Sequence, residues 1–167
     1  GAGGPMGMMH VIRNLCQGIE GVSVFAGDLD DNRLATLTKI AGPQAEQNGL
    51  EYTAYNAKQG PGNEPFDYTV LMAPVPALVA KAVQAAAPRG LINIFAGIPA
   101  TVSGEIDLDT YIEKRLYFIG TSGSTLDDMK KILAKVESKR LDTNVSVAAV
   151  CGLDGALDGI RAVENRT

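Results

Sequence analysis

Gly1-Ala2-Gly3-Gly4-Pro5-Met6-Gly7, followed by an apolar helix-periodic stretch and then by Gly21-Val22-Ser23-Val24-Phe25-Ala26-Gly27-Asp28, is the part of the sequence whose reading decides the fold. Glycines clustered ahead of a helix let a backbone come close to a phosphate. The helix N-terminus turns free N–H groups and the positive end of its dipole toward the same spot. A strand then ends on an acid, Asp28, whose carboxylate can accept hydrogen bonds from ribose hydroxyls. Two features depart from the usual glycine spacing. Met6 stands where G-x-G-x-x-G places its third glycine, and Gly7 follows one residue late. The strand that should feed the loop is also absent from the sequence.

The 167 residues suffice for one domain with a real core, and the formal net charge is −4. Lys and Arg form no cluster, so no nucleic acid or anionic membrane is expected as a partner. No apolar run approaches the roughly 18–20 residues of a membrane span, and no secretory signal pattern begins the chain. The two cysteines, Cys16 and Cys151, lie far apart and outside any partner motif. They read as reduced thiols of an intracellular, cytoplasmic protein. Cys16 shares helical spacing with Met8, Ile12, Leu15 and Ile19, which marks it as a core side chain. With His10 as the single histidine, no metal cluster is expected. His10 reads as a helix residue near a ligand or a domain contact rather than as a catalytic base.

Helices are expected over residues 5–17, 32–40, 76–87, 126–138 and 153–164, with one further helical turn over 110–114. Pro5 suits a first helical turn, Asp30 or Asp31 caps the second helix, and Gly42-Pro43 is expected to stop it. Strands are expected over residues 21–26, 50–55, 67–72, 91–96, 116–119 and 145–150, with Pro88-Arg89-Gly90 as a turn. Strand and helix alternate throughout, and no linker or repeat interrupts them. The expected fold is therefore α/β, a doubly wound Rossmann-type parallel sheet with helices on both faces, residues 1–167 forming one domain.

Ligands of such sheets bind at the carboxyl ends of the strands. Here those ends are Gly27-Asp28, Met72-Ala73-Pro74, Ala96-Gly97-Ile98-Pro99 and Gly120-Thr121-Ser122-Gly123. They are small, apolar or rich in glycine. That suits a flat ring system lying over backbone and does not suit acid–base chemistry, which needs His, Lys, Tyr or carboxylates converging on a pocket. No catalytic or metal-ligating residue is assigned. The residues point to a holder of a cofactor. A carboxylate at Asp28 repels a 2′-phosphate, so NAD is favoured, while Arg33 leaves NADP possible.

The loop, the run Asp28-Leu29-Asp30-Asp31-Asn32-Arg33-Leu34, and the strand ends Ala96-Gly97-Ile98-Pro99 and Gly120-Thr121-Ser122-Gly123 together resemble the medium-chain, zinc-type alcohol and polyol dehydrogenases. So does the closing Gly152-Leu153-Asp154-Gly155-Ala156-Leu157-Asp158-Gly159. The long insertion after Gly97 most resembles the sorbose-phosphate reductases of that family. The resemblance implies a cofactor-binding loop at Gly1, Gly3, Gly4, Pro5, Met6 and Gly7, with Gly3, Gly4 and Met6 under the pyrophosphate. It implies Asp28 and Arg33 at the adenosine ribose, and Ala73, Gly97, Ile98 and Thr121 on the nicotinamide side. It also implies hydride transfer to or from the carbon of a small alcohol or sugar-derived substrate. The zinc of the family would belong to a GroES-like catalytic domain absent from this chain. Pro5 offers the phosphates no N–H.

In the strand order 3-2-1-4-5-6 the strand ahead of the glycine loop is central. Without it the sheet is expected to be split, which implies a chain cut from a longer polypeptide or a strand supplied by another chain. A homodimer is expected through the edge strand near 116–119. Two other readings compete. One is a non-catalytic NAD(H)-sensing module. The other is an S-adenosylmethionine methyltransferase, which also pairs a glycine loop with an acid after its second strand.

Overall fold

The computed structural model describes residues 1–62, 65–120 and 123–165. It is an α/β fold whose parallel strands lie in two sheets. The elements are α1 (Pro5–Leu15), β1 (Ser23–Asp28), α2 (Asp31–Gln47), β2 (Glu51–Asn56), β3 (Phe66–Leu71), α3 (Pro76–Ala85), β4 (Ala86–Ile94), α4 (Leu108–Glu113), β5 (Tyr117–Gly120), α5 (Leu126–Glu137) and α6 (Ala156–Asn165). One sheet pairs β1 with β2, and the other runs β3-β4-β5. The split expected from the sequence is therefore present, and it falls between β1 and β3.

Each sheet has its own core. Period-2 burial in β1 turns Val24 and Ala26 toward α1 and α2, where they meet Val11, Leu15, Leu37, Ala41 and Ala45. Leu15 and Leu37 are fully buried, and each such leucine stabilises the fold by about 1.5–3 kcal/mol. The second core gathers Ala82 and Val83 of α3, Ala86 and Ile92 of β4, and Leu116. At the amino end of β4, Lys114 Nζ donates to the carbonyls of Gln84 (2.7 Å) and Ala86 (2.9 Å). A cation there satisfies carbonyls that α3 leaves open at its C-terminus.

Three elements differ from the sequence expectations. Gly42-Pro43 does not stop α2, which continues to Gln47. Ala41 and Ala45 are buried on either side of the proline, while Pro43 itself is exposed. The helical face is thus held by packing, and solvent can serve the carbonyl that the proline leaves without a donor. The helix ends instead at Asn48-Gly49, where Gly49 adopts φ +64° and Leu50 N–H donates to Ala45 O (2.9 Å). Strand β4 begins at Ala86, and Pro88-Arg89-Gly90 lies inside it rather than forming a turn. A register irregularity between Phe66 and Tyr68 and the positive φ of Arg89 (66°) absorb the proline as a bulge does. Residues 145–150 are not a strand. Asn144–Ser146 is a 3₁₀ turn, started by Asn144 N–H donating to Asp142 Oδ1 at 2.9 Å. Val147 and Val150 are exposed, and among the described residues no strand pairs with this stretch. Local turn chemistry prevails where no sheet edge competes.

Because Pro43 costs α2 one intrahelical hydrogen bond, Pro43→Ala is expected to stabilise the chain by roughly 1–3 kcal/mol. Denaturant unfolding measures this; an unchanged or lower midpoint would show that the proline's limit on the unfolded chain outweighs the lost bond.

Candidate functional site

The carboxyl end of β1 and the loop ahead of α1 are bound into one structure. Ala2 N–H donates to Gly27 O at 3.0 Å. Gly3 N–H donates to Asp28 Oδ2 at 2.9 Å, and Asp30 N–H to Asp28 Oδ1 at 3.1 Å. Asp28 is 7% exposed. Burial pushes its carboxyl up, but hydrogen bonds from the Asp30 and Gly3 amides help to outweigh that, and the carboxyl is held below its ordinary value. It is therefore a fixed anion at neutral pH, aimed at the glycine loop.

Close packing explains the glycines. A Cβ on Gly7 would collide with the carbonyl oxygen of Gly1 and lie 2.7 and 2.8 Å from the Cα and carbonyl carbon of Ala2. Gly7, buried in the first turns of α1, is thus the residue that lets the helix lie against the loop. The late glycine does the packing that the third glycine of the common spacing would do, and the loop is one residue longer. A Cβ on Gly3 would stand 2.6 Å from Arg33 Cβ, so Arg33 covers the loop's outer side. Its Nε lies 3.8 Å from Asp30 Oδ2. Asp30 caps α2 by accepting from Asn32 N–H (2.9 Å) and Arg33 N–H (3.2 Å).

Gly4 caps α1 and Pro5 opens it. The first amides of a helix have no intrahelical acceptor, and Pro5 has no N–H. Met6 and Gly7 therefore carry the donors available at this end of α1. Met6 is exposed at 54%.

The second sheet approaches the same place. A Cβ on Gly1 would lie 3.5 Å from Met72 Cβ and 3.7 Å from Ala73 Cβ, which brings Ala73 to the loop. His10 of α1 meets the Phe95 ring edge-on at 4.9 Å. Its pKa is lowered by burial and by Arg13, so it serves as a half-buried packing contact at the end of β4. Gly97 has open space where a side chain would stand. Ile98 lines a small apolar cavity of about 90 Å³ with Pro76, Val79, Val102, Gly104 and Ile106. Thr121 lies outside the described residues. A larger hollow of about 550 Å³ sits by Gln84, Ala86, Asp107 and Lys114. It lies at the amino end of β4, and Lys114 is already bonded to the end of α3 there.

Gly1, Gly3, Gly4, Gly7, Asp28, Arg33 and Ala73 are thus brought together, while Gly97 and Ile98 stand at the end of the neighbouring strand β4. Two residues escaped sequence reasoning. Tyr55 lies against Gly27, where a Cβ would be 2.5 Å from its Cζ. Asn56 ties down the turn after Asp28, donating through Nδ2 to Asp31 Oδ1 (2.7 Å) and Leu29 O (3.3 Å). The parallel register that sets Gly27 beside Tyr55 and Asp28 beside Asn56 is their only signal. Cys16 is half-buried, with Sγ 3.5 Å from Gln44 Oε1, and burial raises its thiol pKa. Among the described residues no group of three or more His, Cys, Asp and Glu is placed to hold a metal. None of the described helices is long and apolar enough to cross a membrane.

No family model matches the chain. It is 31% identical over 164 residues to the uncharacterized protein YggP of Escherichia coli K12, covering 90% of this chain and 38% of that protein. It is 30% identical over 96 residues to the L-sorbose 1-phosphate reductase of Klebsiella pneumoniae, covering 57% of this chain and 23% of the reductase. The chain thus spans less than two-fifths of the length of these curated relatives. The crystal structure of a short chain alcohol dehydrogenase from E. coli CFT073, complexed with NADH, superimposes with a TM-score of 0.75. That match, at 20% identity, covers 98% of this chain and 47% of the other. The Rossmann-type fold is shared with this structure across nearly the whole chain.

Proposed function

We propose that residues 1–167 are the dinucleotide-binding domain of a zinc-type, NAD-dependent alcohol, polyol or sugar-phosphate dehydrogenase. The observation that carries the reading is the hydrogen bond between Gly3 N–H and the buried Asp28 carboxylate. It fixes a glycine loop against the acid that would receive a ribose. The similarity to a sorbose-phosphate reductase and to NADH-bound alcohol dehydrogenases supports the same reading.

The residues fit the cofactor they imply. Gly7 and Gly3 have no room for a Cβ against Gly1, Ala2 and Arg33, which lets α1 and α2 close on the loop, and the Met6 and Gly7 amides stand at the positive end of α1 for a pyrophosphate. Asp28 and Arg33 would hold the adenosine ribose, and the fixed negative charge at Asp28 favours NAD over NADP. Ala73, Gly97, Ile98 and Thr121 would lie along the nicotinamide. Bound NAD would supply hydride acceptance, and this chain's part is to hold and orient it. Proton transfer and zinc ligation would come from a second domain of the whole enzyme, along with most substrate contacts. In that enzyme the edge of β5 is the proposed homodimer contact, and the proposed compartment is the cytoplasm.

Titration with NADH, followed by nucleotide fluorescence, is expected to show weak saturable binding by this chain, with no oxidation of alcohols or polyols. Binding of S-adenosylmethionine without binding of NADH would overturn the proposal in favour of a methyltransferase. Turnover of an alcohol by this chain alone would overturn the assignment of catalytic groups to another domain.

A further inference from the structure

Gly27 stands beside Tyr55 where β1 and β2 pair in parallel. Period-2 alternation turns Val24 and Ala26 of β1 toward α1 and α2. Gly27 therefore presents its Cβ position to the opposite face, and the half-buried Tyr55 ring fills it. A Cβ on Gly27 would lie 2.5 Å from Cζ, 2.6 Å from the hydroxyl oxygen and 2.9 Å from Cε2 of Tyr55. Gly27 is not among the glycines with positive φ, so the ring, and not the backbone, demands glycine there. Gly27 also holds the loop. Its carbonyl accepts from Ala2 N–H at 3.0 Å, and the next residue, Asp28, accepts from Gly3 N–H at 2.9 Å. Two consecutive loop amides thus hang on the last two residues of β1. The end of β2 supports both of them: Tyr55 lies against Gly27, and Asn56 ties down the turn after Asp28 through Leu29 O and Asp31 Oδ1.

We infer that Tyr55 is a positioning residue of the nucleotide site: its ring bears on Gly27 from the face away from α1 and sets where the end of β1 holds the glycine loop. The inference rests on the nucleotide reading proposed above. Tyr55 acts through Gly27 and needs no contact with the nucleotide. Removing the ring opens space beside a residue that has no side chain of its own, and close-packed surroundings relax into such a space. The strand end, and with it the acceptors of Ala2 and Gly3, then shifts away from α1. The bulk can also be exchanged between the two positions. Leucine lacks all three Tyr55 atoms that a Cβ on Gly27 would meet.

NADH titration and the exchange rate of the Gly3 amide, read by NMR, test this on the 167-residue chain. Tyr55→Phe keeps the ring and is expected to leave both within twofold of the parent. Tyr55→Leu and Gly27→Ala are each expected to weaken NADH binding roughly fivefold or more and to speed Gly3 exchange roughly threefold or more. The pair Gly27→Ala with Tyr55→Leu, in which a methyl enters the space the ring left, is expected to recover both to within about twofold. For a ring that only stabilised the fold the two losses would add instead. Circular dichroism checks folding; if Tyr55→Leu alone does not fold, the pair is compared with Gly27→Ala. Parent-like binding and exchange in Tyr55→Leu, a loss in Tyr55→Phe equal to that in Tyr55→Leu, or a pair no better than Gly27→Ala overturns the inference. A parent chain that binds no NADH overturns the nucleotide reading, and the Gly3 exchange series then decides the positioning by itself.

Discussion

Gly7→Ala is expected to lower NADH affinity at least tenfold. The added Cβ has no room: its neighbours are the carbonyl oxygen of Gly1 and the backbone of Ala2, the latter at 2.7 and 2.8 Å. Backbone atoms cannot rotate aside as a side-chain end can, so α1 must move from the loop or the loop from Gly27. Either shift displaces the Met6 and Gly7 amides from the position a pyrophosphate needs, and positioning errors near 1 Å are costly. Gly42→Ala is the matched control. Gly42 lies within α2 with open space at its Cβ position, and it is expected to keep NADH affinity while gaining up to about 1 kcal/mol of stability. Circular dichroism on both variants separates folding from binding. A Gly7→Ala chain that folds and binds NADH within twofold of the parent would refute the role assigned to the late glycine.

Asp28→Ala is expected to produce a loss of similar size by a different route. It removes the acceptor for Gly3 N–H and Asp30 N–H, and each buried donor left unmet costs about 1–3 kcal/mol. It also removes the proposed ribose acceptor. The expected result is a fall in NADH affinity of one to two orders of magnitude and a smaller fall for NADPH, because the charge that repels a 2′-phosphate is gone. The pH dependence has a definite sign. The folded carboxyl sits below its ordinary value, so its contribution to stability is present above the unfolded pKa of about 3.9 and fades as pH falls through the folded one. Acid titration of parent and variant should therefore show the parent losing more stability toward low pH. Parallel acid curves, or an unchanged ratio of NADH to NADPH affinity, would count against Asp28 as the anchored anion.

Much of the fold was legible because strong local signals agreed with burial. Val24-Phe25-Ala26 between glycines could hardly be other than a buried strand, and Asp30, one of the two residues expected to cap α2, does cap it. The split of the sheet was also readable, since it follows from strand order. The errors share a physical cause. Gly42-Pro43 and Pro88-Arg89-Gly90 are breakers by local rule, yet tertiary packing carries α2 across the first and a bulged register carries β4 across the second. The valines from 145 to 150 have strand propensity, but propensity without a neighbouring edge makes no strand. At the candidate site, the meeting of the loop with Asp28 could be anticipated from spacing. The duty of Gly7 could not, because it depends on how near α1 comes to Gly1. Tyr55 and Asn56 depend on pairing register, which no spacing within one strand reveals.

The presence of two cores has a mechanical meaning. Val24, Ala26 and their helices form one packed unit, and Ile92, Val83 and theirs form another. Aromatic edges bridge the two at Phe25–Phe66 and His10–Phe95. Between β1 and β3 the contact is a seam made by ring edges and not by a hydrogen-bonded ladder. The glycine loop and Asp28 ride on one side of it, and Gly97 and Ile98 on the other. A long ligand reaching from Asp28 to Gly97 would therefore act as a clasp across the seam, holding the two packed units together through its own two ends.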